Sequence, residues 1–474
     1  MRLQAYEVVY QTMEKGEHSD SIFHRIVEQN DFLTRDKRFL KRLSYGTIER
    51  SVELDAILNQ FAKIQVLKMT APVRTVLRMA LYEIRYMEKV PEAVSCHEAV
   101  ELLKKKEGQK HTAFVNGVLR TILRNGDSIS LKPWESLSLP RDLYDHLCEQ
   151  YGKKTTKKIG MAFLENTKDI TLHIDTSKWT KKMFCEELRK AGVAVKKAYY
   201  MDDTVIVSGV EDIKKIPGYE EGVFFVQDES SMLPVLCAGI RPGDKVVDVC
   251  SAPGGKAMHA LLCLKGEGSL SARDKTVSKV KKIEENFGRL KFQNVSCKVW
   301  DATKSDEAFY TQADVVLCDV PCSGIGIIGR KPEIKYHALQ HAKELVPIQR
   351  KIVESAEKMV KPGGILIYST CTVNQAENEE NVRYFVEHLG LKLESLNSFL
   401  PPILCNRMTA EGMLTMIPGL QKSDGFFVGD CGKRIDNREE TDGYSEHEFR
   451  GNGSTCHFSW RKSIPWKTIV SVGA

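Results

Sequence analysis

Three groups of residues in this chain have the types and spacing to do chemistry together. The first is a glycine turn. The apolar run KVVDVC at 245–250 leads into Ser251, Ala252, Pro253, Gly254, Gly255 and Lys256, and a helix is expected from about Ala257. Glycines at a strand-to-helix turn let a ligand approach the backbone closely. This is not a phosphate-binding Walker loop: Cys250 stands where that loop needs its first glycine, and Ala257 where it needs Ser or Thr. It also lacks the third glycine of a dinucleotide fingerprint. Gly324, Gly326 and Gly329 do spell G-x-G-x-x-G, but Arg330, Lys331 and Pro332 follow, so no helix can start where a pyrophosphate would sit.

The second group is acidic. Asp248, Asp274, Asp301 and Asp319 fall at or just past the ends of four successive apolar runs. A carboxylate after the second strand of an open sheet commonly accepts both ribose hydroxyls. Aspartates are also good turn and cap residues, which accounts for any one of them but less easily for four on one edge. The third group is the pair Cys322 and Cys371, in DVPCSG and YSTC, which end the fourth and fifth runs. Ligands of an open parallel sheet bind outside the carboxyl ends of its strands, so both thiols should face the crevice of the glycine turn. The other eleven cysteines read as small buried hydrophobes.

The elements behind these residues alternate. KVVDVC, GSLSARD, VSCKVWD, ADVVLCDV and GGILIYSTC are strands separated by helical stretches, which predicts an α/β domain with a parallel sheet covered on both faces over 222–428. Before it, 126–221 reads as a polar connector and helix followed by a small α+β unit: a strand at 170–174, a helix at 181–191 and two more strands. Residues 1–125 read as helices throughout. The clearest helix runs over 72–90, with Pro72 suited to its first turn, Pro91 forcing a stop, and Val73, Val76, Leu77, Ala80, Leu81, Ile84 and Met87 in one apolar stripe. Arg74, Arg78, Tyr82 and Arg85 share another face, which reads either as a grip for phosphates and bases or as a solvated surface. Lys104, Lys105 and Lys106, and Lys153, Lys154, Lys157 and Lys158, carry the same two readings. From 429 to 474 periodicity is lost, apart from Trp460 and Trp466, and a poorly ordered tail is expected.

Composition narrows the classes. The 474 residues are 42% hydrophobic and 28% charged, which suits a folded protein of several domains. No apolar stretch is long enough to span a bilayer, and the first twenty residues carry no basic segment followed by an apolar block, so neither membrane nor export is expected. Thirteen cysteines without a Cys-x-x-Cys pair point to a reducing cytoplasm and to no metal centre. The net charge of +6 lies wholly in 1–220, which suggests a polyanion-binding front half.

Two thiols beside a nucleoside cofactor suit one reaction especially. Carbon 5 of cytosine is too poor a nucleophile to take a methyl group until a thiolate has added to carbon 6, and the adduct must afterwards lose the carbon-5 proton and expel the thiolate. The residues alone leave open which cysteine attacks.

DVCSAPGGK at 248–256, DVPCSG at 319–324, RKPEIKY at 330–336 and STCTVNQAENEEN at 369–381 resemble the bacterial ribosomal RNA (cytosine-C5)-methyltransferases of the small-subunit type B branch, within the Nol1/Nop2/Sun family. LSYGTIE at 43–49 and FVNGVLR at 114–120 resemble the antitermination factor NusB. The resemblance spans about 1–428 and implies a Rossmann-like S-adenosylmethionine-dependent methyltransferase domain behind an all-α NusB-like domain and a small, RRM-like α+β unit, both RNA-binding. It implies Cys371 as nucleophile and Cys322 as the thiol that assists product release. S-adenosylmethionine would contact residues 250–256, Asp274 at the ribose, Asp301 near the adenine, and Asp319 beside methyl donor and target base. The implied partner is small-subunit ribosomal RNA, met by a monomer. Two departures stand out: Ser251 replaces the family's usual alanine, and the sequence after DGFFV lacks the usual basic closing strand. Three rival readings remain: a transfer RNA methyltransferase, a NusB-like RNA-binding or antitermination protein with an inactive catalytic domain, and a dehydrogenase built on the second glycine motif.

Overall fold

The computed structural model describes residues 1–165, 169–210 and 212–432. The expected tail beyond 432, with Trp460 and Trp466, lies outside the described residues.

The front unit is helical: α1 (Arg2–Lys15), α2 (Ser19–Glu28), α3 (Thr34–Phe61), α4 (Ala71–Tyr86), α5 (Glu92–Glu107) and α6 (Thr112–Arg124). Val8, Leu43, Leu54, Leu77, Leu81 and Leu119 are among its fully buried side chains. Pro72 sits in the first turn of α4 as its fixed φ favours, but the helix ends at Tyr86, short of the expected stop at Pro91. Pro91 instead caps α5.

The charged face of α4 contradicts both readings of it. Arg74 Nε donates to Glu14 at 2.7 Å, and Arg78 donates through Nε and Nη2 to both oxygens of Asp55, each at 2.7 Å. Arg78 and Tyr82 are buried, and of the four residues only Arg85 is exposed. Carboxylates on α1 and α3 thus make Arg74, Arg78 and Tyr82 part of an internal seam, and leave only Arg85 of that face at the surface. Gly46 of LSYGTIE completes the seam, because a Cβ there would fall inside the Tyr82 ring.

The connector carries α7 (Pro133–Ser136) and α8 (Arg141–Leu164), the latter broken at Gly152, where φ is 75°. Past the break Lys153, Lys154, Lys157 and Lys158 are all exposed. The small unit follows: β1 (Ile170–Ile174), α9 (Lys181–Lys190), β2 (Ala194–Lys197), β3 (Thr204–Ser208) and β4 (Phe224–Val226). Its antiparallel sheet has the order β2-β3-β1-β4, packed on Phe184 and Leu188 of α9. β4 lies past the boundary expected at 221, since its three residues adjoin the next helix too closely for an alternating pattern to show.

The α/β unit comprises α10 (Glu229–Cys237), β5 (Lys245–Asp248), α11 (Gly255–Leu264), β6 (Ser269–Asp274), α12 (Val277–Leu290), β7 (Val295–Val299), β8 (Ala313–Asp319), α13 (Ala338–Ala356), β9 (Val360–Thr370), α14 (Glu379–Leu389), β10 (Lys392–Leu393), α15 (Arg407–Ala410), β11 (Met413–Met416) and β12 (Phe426–Gly432). The sheet order is β10-β12-β9-β8-β5-β6-β7, with β11 also on β12. β5 to β9 are parallel, and β12 enters antiparallel beside β9. Leu261, Ile283 and Phe287 cover one face, and Ile352, Val353 and Phe385 the other. The chain does close its sheet without the usual basic sequence: 429–432, expected to begin the tail, belong to β12, where Cys431 lies opposite Leu366 of β9. Glycine and aspartate in GDCG mask a strand whose inward positions are still filled.

RKPEIKY joins the front unit to the sheet. Glu333 accepts from Ser19 Oγ at 2.9 Å, Lys335 Nζ donates to the Glu49 carbonyl, and Tyr336 Oη donates to the Ile48 carbonyl at 2.8 Å. Burial pulls the Lys335 ammonium down to about 7 and pushes the Glu49 carboxyl up to about 7. The helical unit is therefore docked by this segment of the α/β unit, in which Pro332 and Lys335 are buried.

Candidate active site

Four strand ends converge on one crevice. After β5 the chain turns through 251–254, with Gly254 at φ 105°, a conformation glycine adopts without strain, and Gly255 opens α11. The Ser251 N–H donates to the Arg273 carbonyl at 2.8 Å, and the Ala252 N–H to Asp274 Oδ2 at 3.0 Å, so the end of β6 shapes the turn. Asp274 Oδ1 accepts the Lys275 N–H at 2.7 Å and lies 3.1 Å from Lys279 Nζ. At the end of β7, Asp301 accepts from the Thr303 N–H and Oγ1 and lies 3.3 Å from Lys275 Nζ; the Thr303 bonds hold its carboxyl below the ordinary range.

Asp248, ending β5, is buried, with Oδ1 accepting the Cys250 N–H at 3.3 Å. Burial, and then the Asp319 charge, push its carboxyl up to about 7. Burial likewise raises the Cys250 thiol. Lys256 is the hub: Nζ donates to Asp319 Oδ2 at 2.8 Å and to Ser231 Oγ at 2.9 Å, and lies 5.0 Å from the Phe426 ring centre. Asp319 Oδ1 accepts from Ser369 Oγ at 2.9 Å. Beside them the sulfurs of Cys322 and Cys371 lie 3.3 Å apart, both half-buried and both free thiols. The bond to Cys371, burial, and the Glu377 and Asp319 carboxylates push the Cys322 thiol well above its ordinary range.

Carboxylates at four strand ends repel phosphate and suit a cation carrying hydroxyls. The second glycine motif does not form a cradle: Gly326 is pressed against Gly425, where a Cβ would fall into the Gly425 carbonyl, and Arg330 pairs with Asp228 at 2.7 Å and with Asp424.

Residues 236–431 match the family described as 16S rRNA methyltransferase RsmB/F, and residues 1–124 match the NusB family. Over 437 residues the chain is 32% identical to the probable ribosomal RNA small subunit methyltransferase B of Bacillus subtilis (strain 168), covering 90% of this chain and 96% of that protein. The chain belongs to the 16S rRNA methyltransferase RsmB/F family. It is an RNA methyltransferase dependent on S-adenosylmethionine, with a NusB-type front domain and a Rossmann-like methyltransferase domain. The ribosomal RNA small subunit methyltransferase F of Cronobacter sakazakii (strain ATCC BAA-894) is 35% identical over 211 residues, 44% of either chain. The crystal structure of PH0851 shares the fold with a TM-score of 0.76 at 23% identity, covering 91% of this chain and 99% of that one. NSun6 from Pyrococcus horikoshii, solved with SFG, has a TM-score of 0.57 at 22% identity, covering 63% and 99%. This family membership sets aside the dehydrogenase reading.

The residues expected to hold the cofactor all lie on this one edge of the sheet. Sequence reasoning missed Ser231, which stands in no motif, and also Ser369 and Phe426, although STCTVNQAENEEN and DGFFV contain them; all three surround Lys256 and Asp319. It also missed Glu377, although STCTVNQAENEEN contains it.

Proposed function

We propose that this chain methylates carbon 5 of a cytosine in small-subunit ribosomal RNA through a covalent adduct with Cys371. The observation that carries the reading is the thiol pair, 3.3 Å apart and beside Asp319 at the mouth of the glycine turn. S-adenosylmethionine, when bound, supplies an electrophilic methyl group. Residues 250–256 would line its site, Asp274 would take a ribose hydroxyl with its remaining lone pair, and Asp301 would lie near the base. Asp319, fixed by Lys256 and Ser369, would face the target cytosine. The Cys371 thiolate forms a bond to carbon 6, and the electron pair displaced from the ring double bond makes carbon 5 nucleophilic. Once carbon 5 is methylated a water molecule takes its proton, the C–H electron pair restores the ring double bond, and the sulfur leaves carbon 6 with its own pair as the Cys371 thiolate. Cys322, whose sulfur lies 3.3 Å from that of Cys371, would assist that second half by donating its S–H to the departing sulfur.

The front units, 1–125 and the small sheet that ends with β4, would hold the RNA. Twelve free cysteines among the described residues support a reducing, cytoplasmic setting, and none of the described helices is long and apolar enough to cross a membrane. The protein is proposed to act as a monomer. Incubating it with methyl-labelled cofactor and either small-subunit ribosomal RNA or transfer RNA, followed by nucleoside mass spectrometry, tests the reading. Label in 5-methylcytidine from the ribosomal RNA is expected. Label in another nucleoside, or only in transfer RNA, would overturn it.

A further inference from the structure

Glu377 is fully buried, lies outside the cofactor crevice, and is met only by donors. Its Oε1 accepts the Ser323 N–H at 2.7 Å and Gln349 Nε2 at 3.0 Å; its Oε2 accepts Asn374 Nδ2 at 3.0 Å and the Ser323 hydroxyl. A buried carboxylate is tolerated only when its lone pairs are satisfied, and four donors satisfy this one. A neutral amide could not replace it, since its NH₂ would face some of those donors.

The donors grip one tripeptide. Gln349 Nε2 also donates to the Pro321 carbonyl at 2.9 Å, so Pro321 and Ser323, the two neighbours of Cys322, are both fastened to the Glu377–Gln349 pair. The segment after Cys371 joins through a hydroxyl chain: the Asn374 N–H donates to Thr372 Oγ1 at 3.3 Å, and Thr372 Oγ1 lies 2.9 Å from Ser323 Oγ. Cys371 has separate supports. It follows β9 directly, and its carbonyl accepts the Gly326 N–H at 3.1 Å. Loss of Glu377 should therefore displace Cys322 more than Cys371.

We infer that Glu377, acting with Gln349, is a positioning residue that holds Cys322 against Cys371 and so sets the rate of product release. The raised Cys322 thiol, to which the Glu377 charge contributes, agrees with this placement. The inference rests on the roles proposed above for the two thiols, and its test separates the two.

The test uses the full chain with Glu377→Gln, Gln349→Ala, Cys322→Ala, and the double variant Glu377→Gln/Cys322→Ala. Glu377→Gln should bind S-adenosylmethionine as the wild type does, still attack RNA, and release product at least about tenfold more slowly, leaving RNA adduct on denaturing gels as Cys322→Ala does. The double variant should release no more slowly than Cys322→Ala alone, because both changes remove the same function. A wild-type release rate in Glu377→Gln, or a further tenfold loss in the double variant, would overturn the inference. Should Glu377→Gln fail to fold, Gln349→Ala, which keeps the carboxylate and frees the Pro321 carbonyl, must show the slowed release. A wild-type rate there is equally fatal.

A mechanism-independent readout is the effective concentration of the Cys322–Cys371 pair, measured at equilibrium with glutathione and glutathione disulfide by mass spectrometry of the linked peptides. Glu377→Gln should lower it by about tenfold or more. An unchanged value would overturn the positioning role even if no variant forms an RNA adduct, the outcome that would count against the covalent reading instead.

Discussion

Replacing Asp274 by alanine removes a buried carboxylate that already has three partners: the Ala252 N–H at 3.0 Å, the Lys275 N–H at 2.7 Å and the Lys279 ammonium at 3.1 Å. A carboxylate offers about four acceptor positions, so one remains for a ribose hydroxyl. Losing a hydrogen bond to a charged acceptor costs about 1.5–3 kcal/mol, which raises the cofactor Kd by roughly 10- to 150-fold. The alanine variant also leaves the Ala252 N–H without its acceptor, so the glycine turn is no longer preorganised and the loss should fall in the upper half of that range. Asp274→Asn separates the two effects. Its carbonyl oxygen can still accept from Ala252, keeping the turn, while the charge is gone and the NH₂ meets the Lys275 N–H, so a loss of about 1–1.5 kcal/mol, or roughly five- to tenfold in Kd, is expected. Calorimetric titration with S-adenosylmethionine at fixed salt, alongside thermal melts, measures both. An alanine variant within about threefold of wild type, or an asparagine variant as weak as alanine, would refute the assignment of ribose and turn to this one side chain.

Arg78→Ala should cost about 3 kcal/mol in a urea titration, because it leaves Asp55 without its two-bond partner inside the helical unit, while RNA affinity of the folded protein stays the same. Replacing Lys153, Lys154, Lys157 and Lys158 together by glutamine should do the reverse: stability is kept, and the slope of log affinity for RNA against log salt shrinks by up to about 3, read by filter binding. Asp430→Asn probes a buried carboxyl pushed up to about 7 by burial and by Glu394. A raised carboxyl destabilises the fold progressively from about pH 4, its unfolded value, up to about pH 7, where the cost levels off. The variant should therefore gain about 1–3 kcal/mol over wild type near pH 8 and clearly less near pH 5.

The sheet was readable because each strand is an unbroken apolar run closed by a polar residue at the same end. That regularity places Asp248, Asp274, Asp319, Cys322 and Cys371 on one edge from the sequence alone. Across elements it failed. The α4 stripe of Arg74, Arg78 and Tyr82 looks like a surface in one helix, and only the packing of α1 and α3 brings Glu14 and Asp55 against it. RKPEIKY likewise carries no periodicity that points to a partner, yet Lys335 and Tyr336 are plugged into α3, because a lysine can be buried when its ammonium finds a carbonyl. Glu377 was hidden for a related reason: a glutamate in a run of acidic and amide residues resembles a solvated helix start until Ser323, Gln349 and Asn374 close around it.

The covalent account is tested most directly by trapping RNA on the two cysteine variants with S-adenosylmethionine present and examining the products on denaturing gels. Cys322→Ala should methylate once, release slowly and accumulate an adduct, whereas Cys371→Ala should form no adduct and no 5-methylcytidine. An adduct that persists in Cys371→Ala and vanishes in Cys322→Ala would reverse the two roles, and full methylation by both variants would contradict the covalent mechanism itself.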